Sequence, residues 1–291
     1  MDAEGLSRAV RRQLGLGRVL PLGDAADGAW LVESAAAQVL SAAALRELPD
    51  VRIGRLRLGP AGPEATDPPA VPPPPSALPP GPLRIEVEFE ATPHAPLTTT
   101  AELLRAALFR AAERELGLRV VTVDLRITDL VGAPDGHNGH QGDGAAGAQP
   151  GGTRDASRTD GDASGRGGAH PRTEDGAPPP APADDPRGTA TAQAVLSVPG
   201  VARLAPVLGS VLGGLPADAV TVTDTPADDG GTAHRHVRIQ LAVAEGARAL
   251  DVARSVREAA AKAAAWDADE PAVPVTVAVL VSAVDPAGTD R

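Results

Sequence analysis

The sequence predicts an α+β protein built from two similar small modules, each ordered helix, strand, strand, helix, strand, and joined by a long linker. Three observations carry this. Residues 132–187 contain no Val, Ile, Leu, Met, Phe, Trp or Tyr. Stretches with strict two-residue alternation flank Ala-rich segments with helical spacing on both sides of that gap. Landmarks also recur between the flanks: Pro49 with Pro199, Ile85 with Val237, Thr98 with Ala249, and Val121 with Val275, at offsets within a few residues of about 150.

In chain order, residues 1–29 form an N-terminal segment with a short basic amphipathic start from Leu6 to Leu14. The first module covers 30–131. An Ala-rich helix runs from about Trp30 to Glu47 and stops at Leu48-Pro49-Asp50-Val51, because proline cannot continue a helix. Val51 to Leu58 reads as a strand. The insert 59–82, with Pro72 to Pro75 and Pro79-Pro80, favours extended polyproline backbone and reads as a loop inside the module. Leu83, Ile85, Val87 and Phe89 then alternate with Arg84, Glu86, Glu88 and Glu90, the signature of a strand with one buried face. Thr99 with Glu102 predicts a capping box opening a helix to about Glu115, stopped by Gly117. Val121, Val123, Leu125 and Ile127 line one face of the closing strand.

The linker 132–187 cannot offset an ordering entropy of about 1–2 kcal/mol per residue. As a Gly-rich coil of about 56 residues it spans on the order of 40 Å, so the modules need not touch. The second module, 188–286, repeats the order: a helix near Thr191 to Val198, a Pro/Gly-rich segment carrying Leu204, Val207, Leu208, Val211 and Leu212, and strands at Ala219 to Thr223 and His236 to Val243. A helix from Ala249 to Ala265 with Val252, Val256 and Ala260 on one side follows, then a strand with Val275, Val277, Val279 and Val281 on one face. A tail, 287–291, ends the chain. Each module is expected to enclose its own aliphatic interior, since only Trp30, Phe89, Phe109 and Trp266 are aromatic.

Charge and composition narrow the function classes. With 27 Lys+Arg against 38 Asp+Glu, the formal net charge of −11 disfavours general binding to nucleic acid or anionic lipid. The absence of cysteine excludes disulfides, thiolate catalysis and thiolate-held metal, and suits a reducing cytoplasm. No segment reaches the ~20 apolar residues of a membrane span, and the start Met1-Asp2-Ala3-Glu4 lacks the basic character of a secretory signal. Lys262 is the single lysine in an Ala/Gly/Pro/Arg-rich background, the composition of a GC-rich genome such as that of an actinomycete.

The sequence offers no convincing catalytic set and no cofactor motif. His234-Arg235-His236 places two imidazoles on one face of a strand start, without a third ligand at suitable spacing, so no metal site is assigned. His137 and His140 fall in the linker beside Asp135 and Asp143. Gly59-Pro60-Ala61-Gly62 has the Gly-x-x-Gly form of an RNA-binding KH loop but no basic neighbours, and its proline removes a backbone donor. Glu86, Glu88 and Glu90 read as solvated charges. The two sheets differ: the first carries Arg55, Arg57 and the three glutamates outward, whereas the second turns Thr221, Thr223, Gln240, Ala242, Thr276, Ala278 and Leu280 outward. That nearly uncharged face is the predicted surface for self-association or partner binding, unless the Leu204 to Leu212 segment covers it.

The motifs Val198-Pro199-Gly200-Val201 and Leu116-Gly117-Leu118-Arg119-Val120-Val121-Thr122-Val123-Asp124-Leu125, in this element order, resemble the alkaline-shock, or envelope stress response, protein family. Departures are Asp50 in place of the first glycine, the proline insert, and Trp266 to Pro274 in place of the second Gly-Leu turn. Residues 11–18 and 75–82 are also similar to actinobacterial proteins catalogued under a nucleopolyhedrovirus P-ten heading, although the sustained heptads of a fibre are missing. The resemblance implies a non-enzymatic, cytoplasmic interaction or scaffold protein, peripheral to the inner face of the membrane through a small membrane-anchored protein partner, with no catalytic residues to transfer. The competing expectation is an RNA-associated adaptor with KH-like modules.

Overall fold

The computed structural model describes residues 17–62, 68–130, 186–205, 219–226, 233–265 and 273–286. Residues 132–185 of the expected linker, the basic start from Leu6 to Leu14, and His137 and His140 lie outside them; Pro186 and Arg187, expected in the linker, instead open a helix. Within them the chain is α+β, with nine strands in two sheets and four α-helices.

Strand β1 (Val19–Pro21) turns through a single 3₁₀ turn into β2 (Ala29–Val32), which runs directly into helix α1 (Glu33–Glu47). The spacing predicts a helix from Trp30; Trp30, Leu31 and Val32 instead pair as a strand. Their partner is β9 (Val275–Asp285), aligned in parallel as Ala29↔Val279 and Leu31↔Val281. β1 pairs antiparallel with β2. Val19–Pro21 and Ala29–Val32 are therefore part of the second half's sheet.

β3 (Val51–Pro60) and β4 (Leu83–Ala91) pair antiparallel. The even alternation of β4 emerges as expected, with Leu83, Ile85, Val87 and Phe89 buried. Helix α2 (Leu97–Ala111) starts two residues before the predicted cap. Pro96 is the N-cap residue and no side-chain cap bond forms, so Thr99 sits inside the first turn and the capping box is not made. The helix ends in a π-type turn, Ala112–Leu116, and Gly117 leaves it at φ +86°. β5 (Val120–Leu130) then pairs parallel to β4, completing the order β3-β4-β5.

The second half repeats this. Helix α3 (Pro186–Leu196) begins at a proline, which suits the first helical position because its missing N–H has no partner there anyway. β6 (Val201–Leu204) and β7 (Val220–Thr225) both pair antiparallel with β8 (His234–Ala244), in tandem along one edge. Helix α4 (Ala249–Ala265) crosses back, burying Val252, Val256 and Ala260 as predicted, and β9 lies parallel to β8. Strand β6 has no periodic signal in the sequence because its four residues sit in a Pro/Gly-rich stretch.

Both halves thus share one topology, an antiparallel pair followed by a parallel crossover. The likeness extends to a detail. The β4–β5 ladder steps from Phe89↔Ile127 to Glu90↔Asp129, leaving Thr128 as an extra residue, and the β8–β9 ladder steps from Leu241↔Val281 to Ala242↔Ala283, leaving Ser282. Each bulge hydroxyl donates to the matching carbonyl on the neighbouring strand: Thr128 Oγ1 to Phe89 O at 3.3 Å, and Ser282 Oγ to Leu241 O at 3.1 Å. Bulges re-aim a strand.

The expectation of two separate interiors is corrected. One continuous apolar cluster runs from Leu20 and Leu31 through Leu40, Phe89 and Leu108 to Ile239, Val256 and Val279. Helix α1 packs on α2 and β3 of its own half and also on β9 of the other. The described residues of both halves belong to one compact unit. The reason is stoichiometric: helices built on Ala and Leu bury too little area against one three-stranded sheet, so the halves cover each other.

Candidate interaction surfaces

Sheet registry decides where the predicted face lies. Alternate residues of β7, β8 and β9 point away from the helices: Thr221 and Thr223 stand beside Arg238 and His236, which stand beside Ala278 and Thr276, with Gln240 next to Leu280. The seven predicted residues therefore do share one face. They do not share exposure. Ala242, Ala278 and Leu280 are buried, Thr221, Gln240 and Thr276 half-buried, and Thr223 exposed.

The cover comes from elements whose role the sequence did not show. Ala278 and Leu280 pack with Val19, Trp30, Val32 and Val71 in a second apolar cluster on this side of the sheet. Val71 belongs to the proline-rich insert. The insert reaches across to the other half's sheet through Leu78 N–H to Val19 O at 2.8 Å and Ala70 N–H to Ala25 O at 3.1 Å. At the opposite end, Ser282 Oγ donates to Ala205 O at 3.1 Å, so the chain leaving β6 turns over the face near Ala242. Residues 206–218, which carry the rest of the expected cover, lie outside the described residues. The open part of the face centres on Thr223, His234 and Arg238, and so carries charge.

His234 and His236 do not form a metal pair with a third ligand; no group of three or more His, Cys, Asp or Glu side chains suited to a metal occurs among the described residues. His236 Nδ1 lies 2.9 Å from Thr276 Oγ1, and its buried Nε2 has no hydrogen-bond partner. Burial, then the Arg238 and His234 charges, push its pKa below the ordinary histidine value. Arg235, between them, points to the helix side at 2% exposure. Its guanidinium grips Asp224 twice, at 2.6 and 3.0 Å, and donates to Ala264 O at the end of α4 at 2.6 Å. That arginine is a structural clamp the sequence did not reveal.

Gly59 and Pro60 lie in the β3–β4 ladder, opposite Arg84 and Leu83, and not in a loop between helices as a KH-type reading requires. The outer face of sheet β3-β4-β5 carries alternating charge as expected: Arg84 bridges Glu86, Arg84 Nε lies 3.5 Å from Asp124, and Arg126 lies 3.7 Å from Glu88. A shallow groove on this face is lined by Arg55, Arg57, Glu86, Glu88, Asp124 and Arg126. Exposed pairs of this kind contribute about 0–1 kcal/mol each.

A second charged set lies on the seam between the halves. Arg254 of α4 meets Asp27 with Nε to Oδ1 at 2.7 Å and Nη2 to Oδ2 at 3.1 Å. Arg119 reaches Asp24 at 2.7 Å, and Arg248 Nε donates to Glu113 O at 2.9 Å. Burial alone would raise the Asp27 carboxyl; the Arg254 hydrogen bonds, the Asp24 amide, and the charges of Arg254 and Arg257 outweigh it and hold the pKa below the ordinary aspartate value. Each of these arginines is already committed to a partner, which makes the seam an assembly contact.

No protein-family model, curated protein or solved structure matches this chain. No helix among the described residues is long and apolar enough to cross a membrane.

Proposed function

We propose that the chain is a non-enzymatic interaction or scaffold protein of the envelope-stress class, working in the cytoplasm through protein contacts and held near the inner face of the membrane by a small membrane-anchored partner. The observation that carries this reading is the duplicated helix–strand–strand–helix–strand module, whose order is the one the alkaline-shock resemblance implies. The Val198-Pro199-Gly200-Val201 motif supports it further. Gly200 turns the chain at φ +90° from α3 into β6 so closely against Val252 and Ala247 that a side chain there would collide with both.

The partner surface in this reading is the open part of the outer β7-β8-β9 face, around Thr223 and Arg238. Affinity purification of the full chain from membrane and cytosolic fractions, with and without nuclease, tests it. The expected result is enrichment of a small membrane protein that resists nuclease and is lost on Arg238→Glu with Thr223→Asp, while the far-UV spectrum is unchanged. Capture of RNA with a salt-dependent mobility shift would support the adaptor reading instead.

A further inference from the structure

The two halves share the antiparallel pairing and the parallel crossover, and they differ beyond the last strand. In the second half, the outer edge of β9 is occupied by β2. In the first half the corresponding edge belongs to β5, and among the described residues β5 pairs with β4 alone. The other edges are guarded. β3 is interrupted by a register shift at Gly54-Arg55 and ends in proline, β1 is partly covered by Ala77 and Leu78, and β6 and β7 are short. β5 is eleven residues long, and between its own register shifts at Val121 and Thr128 the stretch Thr122 to Ile127 runs unbroken. Val123 O accepts from Arg105 Nε at 3.4 Å, and Leu130 N–H donates to Asp129 Oδ1 at 2.7 Å. Three of the strand's apolar side chains are also uncovered, with Val121 58%, Ile127 38% and Leu130 50% exposed. A long open edge with such side chains is a template for another strand.

We propose that this edge pairs with the same edge of a second copy of the chain, antiparallel and centred on Leu125, joining two three-stranded sheets into one of six. The sequence of β5 selects this occupant and this register. With Leu125 opposite Leu125 of the second copy, Asp124 faces Arg126 and Arg126 faces Asp124, giving two opposite-charge pairs on the outer side. Val123 faces Ile127 on the helix side. A slip of one residue in pairing would put inward side chains opposite outward ones. Centring on Asp124 or on Arg126 would set like charges against each other, which is destabilising. The isologous contact closes on itself and leaves no edge for further growth.

This inference does not rest on the envelope-stress reading. Sedimentation of the full chain over a concentration series is expected to show a reversible dimer. Asp124→Arg alone, and Arg126→Asp alone, should each weaken it by about tenfold or more, because each places like charges opposite one another. The decisive step mixes these two variants. The first carries arginine at both positions and the second aspartate at both, so every cross-strand pair between them joins opposite charges. A heterodimer should therefore form where neither variant dimerises alone, and a chain carrying both substitutions should dimerise as wild type. Trp30 emission reports whether each variant is folded; if one is not, the doubly substituted chain still decides. A wild-type chain that stays monomeric, a dimer indifferent to the single variants, or a mixture that stays monomeric would overturn the proposal.

Discussion

Asp27 and Arg254 are separated by 227 residues in sequence and joined by two hydrogen bonds in the fold. Asp27 is nearly buried and Arg254 about half exposed, so solvent screens part of the interaction. Asp27→Asn keeps the shape and removes the charge; chemical denaturation should show a loss of about 1–2 kcal/mol. A double-mutant cycle with Arg254→Met should show the two losses to be non-additive, since the side chains touch. The pH dependence follows from the directions of shift. Asp27 and Asp224 are both lowered, Asp224 chiefly by its Arg235 hydrogen bond against a smaller effect of burial. Their stabilisation is complete above the unfolded aspartate value of about 3.9 and disappears as pH falls through the folded values. His236 is lowered as well. The unfolded chain then binds a proton that the folded chain refuses, so stability present above about pH 6.5 declines as pH drops below it. Urea midpoints at pH 7.5 and 5.5 should therefore differ for the wild type, and the difference should shrink in His236→Gln.

At the scale of elements, the bulges and the helix ends decide how strands and helices meet. Ser282 is buried, and its single hydroxyl proton is shared between Leu241 O and Ala205 O, each 3.1 Å away. Ser282→Ala removes the one hydroxyl donor these two carbonyls share, and the expected loss is about 1–2 kcal/mol by urea titration. The corresponding Thr128→Val, at an exposed site, should cost less. Gly117 is a stricter position: it lies at φ +86°, and a Cβ there would stand 2.4 Å from Leu250 Cβ on α4. Gly117→Ala is expected to lower stability by about 2 kcal/mol or more, because left-handed strain and a collision between halves act together. What could be read beforehand, and what could not, divides along the same line. The alternation in β4 and the Val252, Val256, Ala260 stripe of α4 are local signals and they sufficed. The bulges at Thr128 and Ser282 leave no trace in composition. The strand Trp30-Leu31-Val32 runs without a break into an Ala-rich helix, and its partner Val279 to Val281 is far along the chain, so local periodicity favoured helix. The outer-face prediction followed the alternation and allowed for cover by the Leu204 to Leu212 segment; the cover from Trp30 and Val71 was not legible, because they come from the first half of the chain.

The shared core changes what the whole molecule should do. If each half enclosed its own interior, cutting the chain between them would yield two independent folded pieces. Here α1 rests on β9, β2 is a strand of the second sheet, and Gly117 seats against Leu250, so each half lacks part of its own cover without the other. The aliphatic composition makes this dependence severe: with Trp30 and Phe89 the fully buried aromatic side chains among the described residues, area must come from contact between the halves. A protease site placed between Gly151 and Gly152 tests the point without touching either half. After cleavage the two fragments should co-elute as one particle under native conditions, and calorimetry should show one transition, as expected of a single cooperative unit. Separated in denaturant and returned to buffer one at a time, each fragment should refold poorly; mixed, they should recover the particle and the buried emission of Trp30. Two fragments that part without denaturant and each show a cooperative transition would mean that the interior running from Leu20 to Val279 is not what holds the chain together.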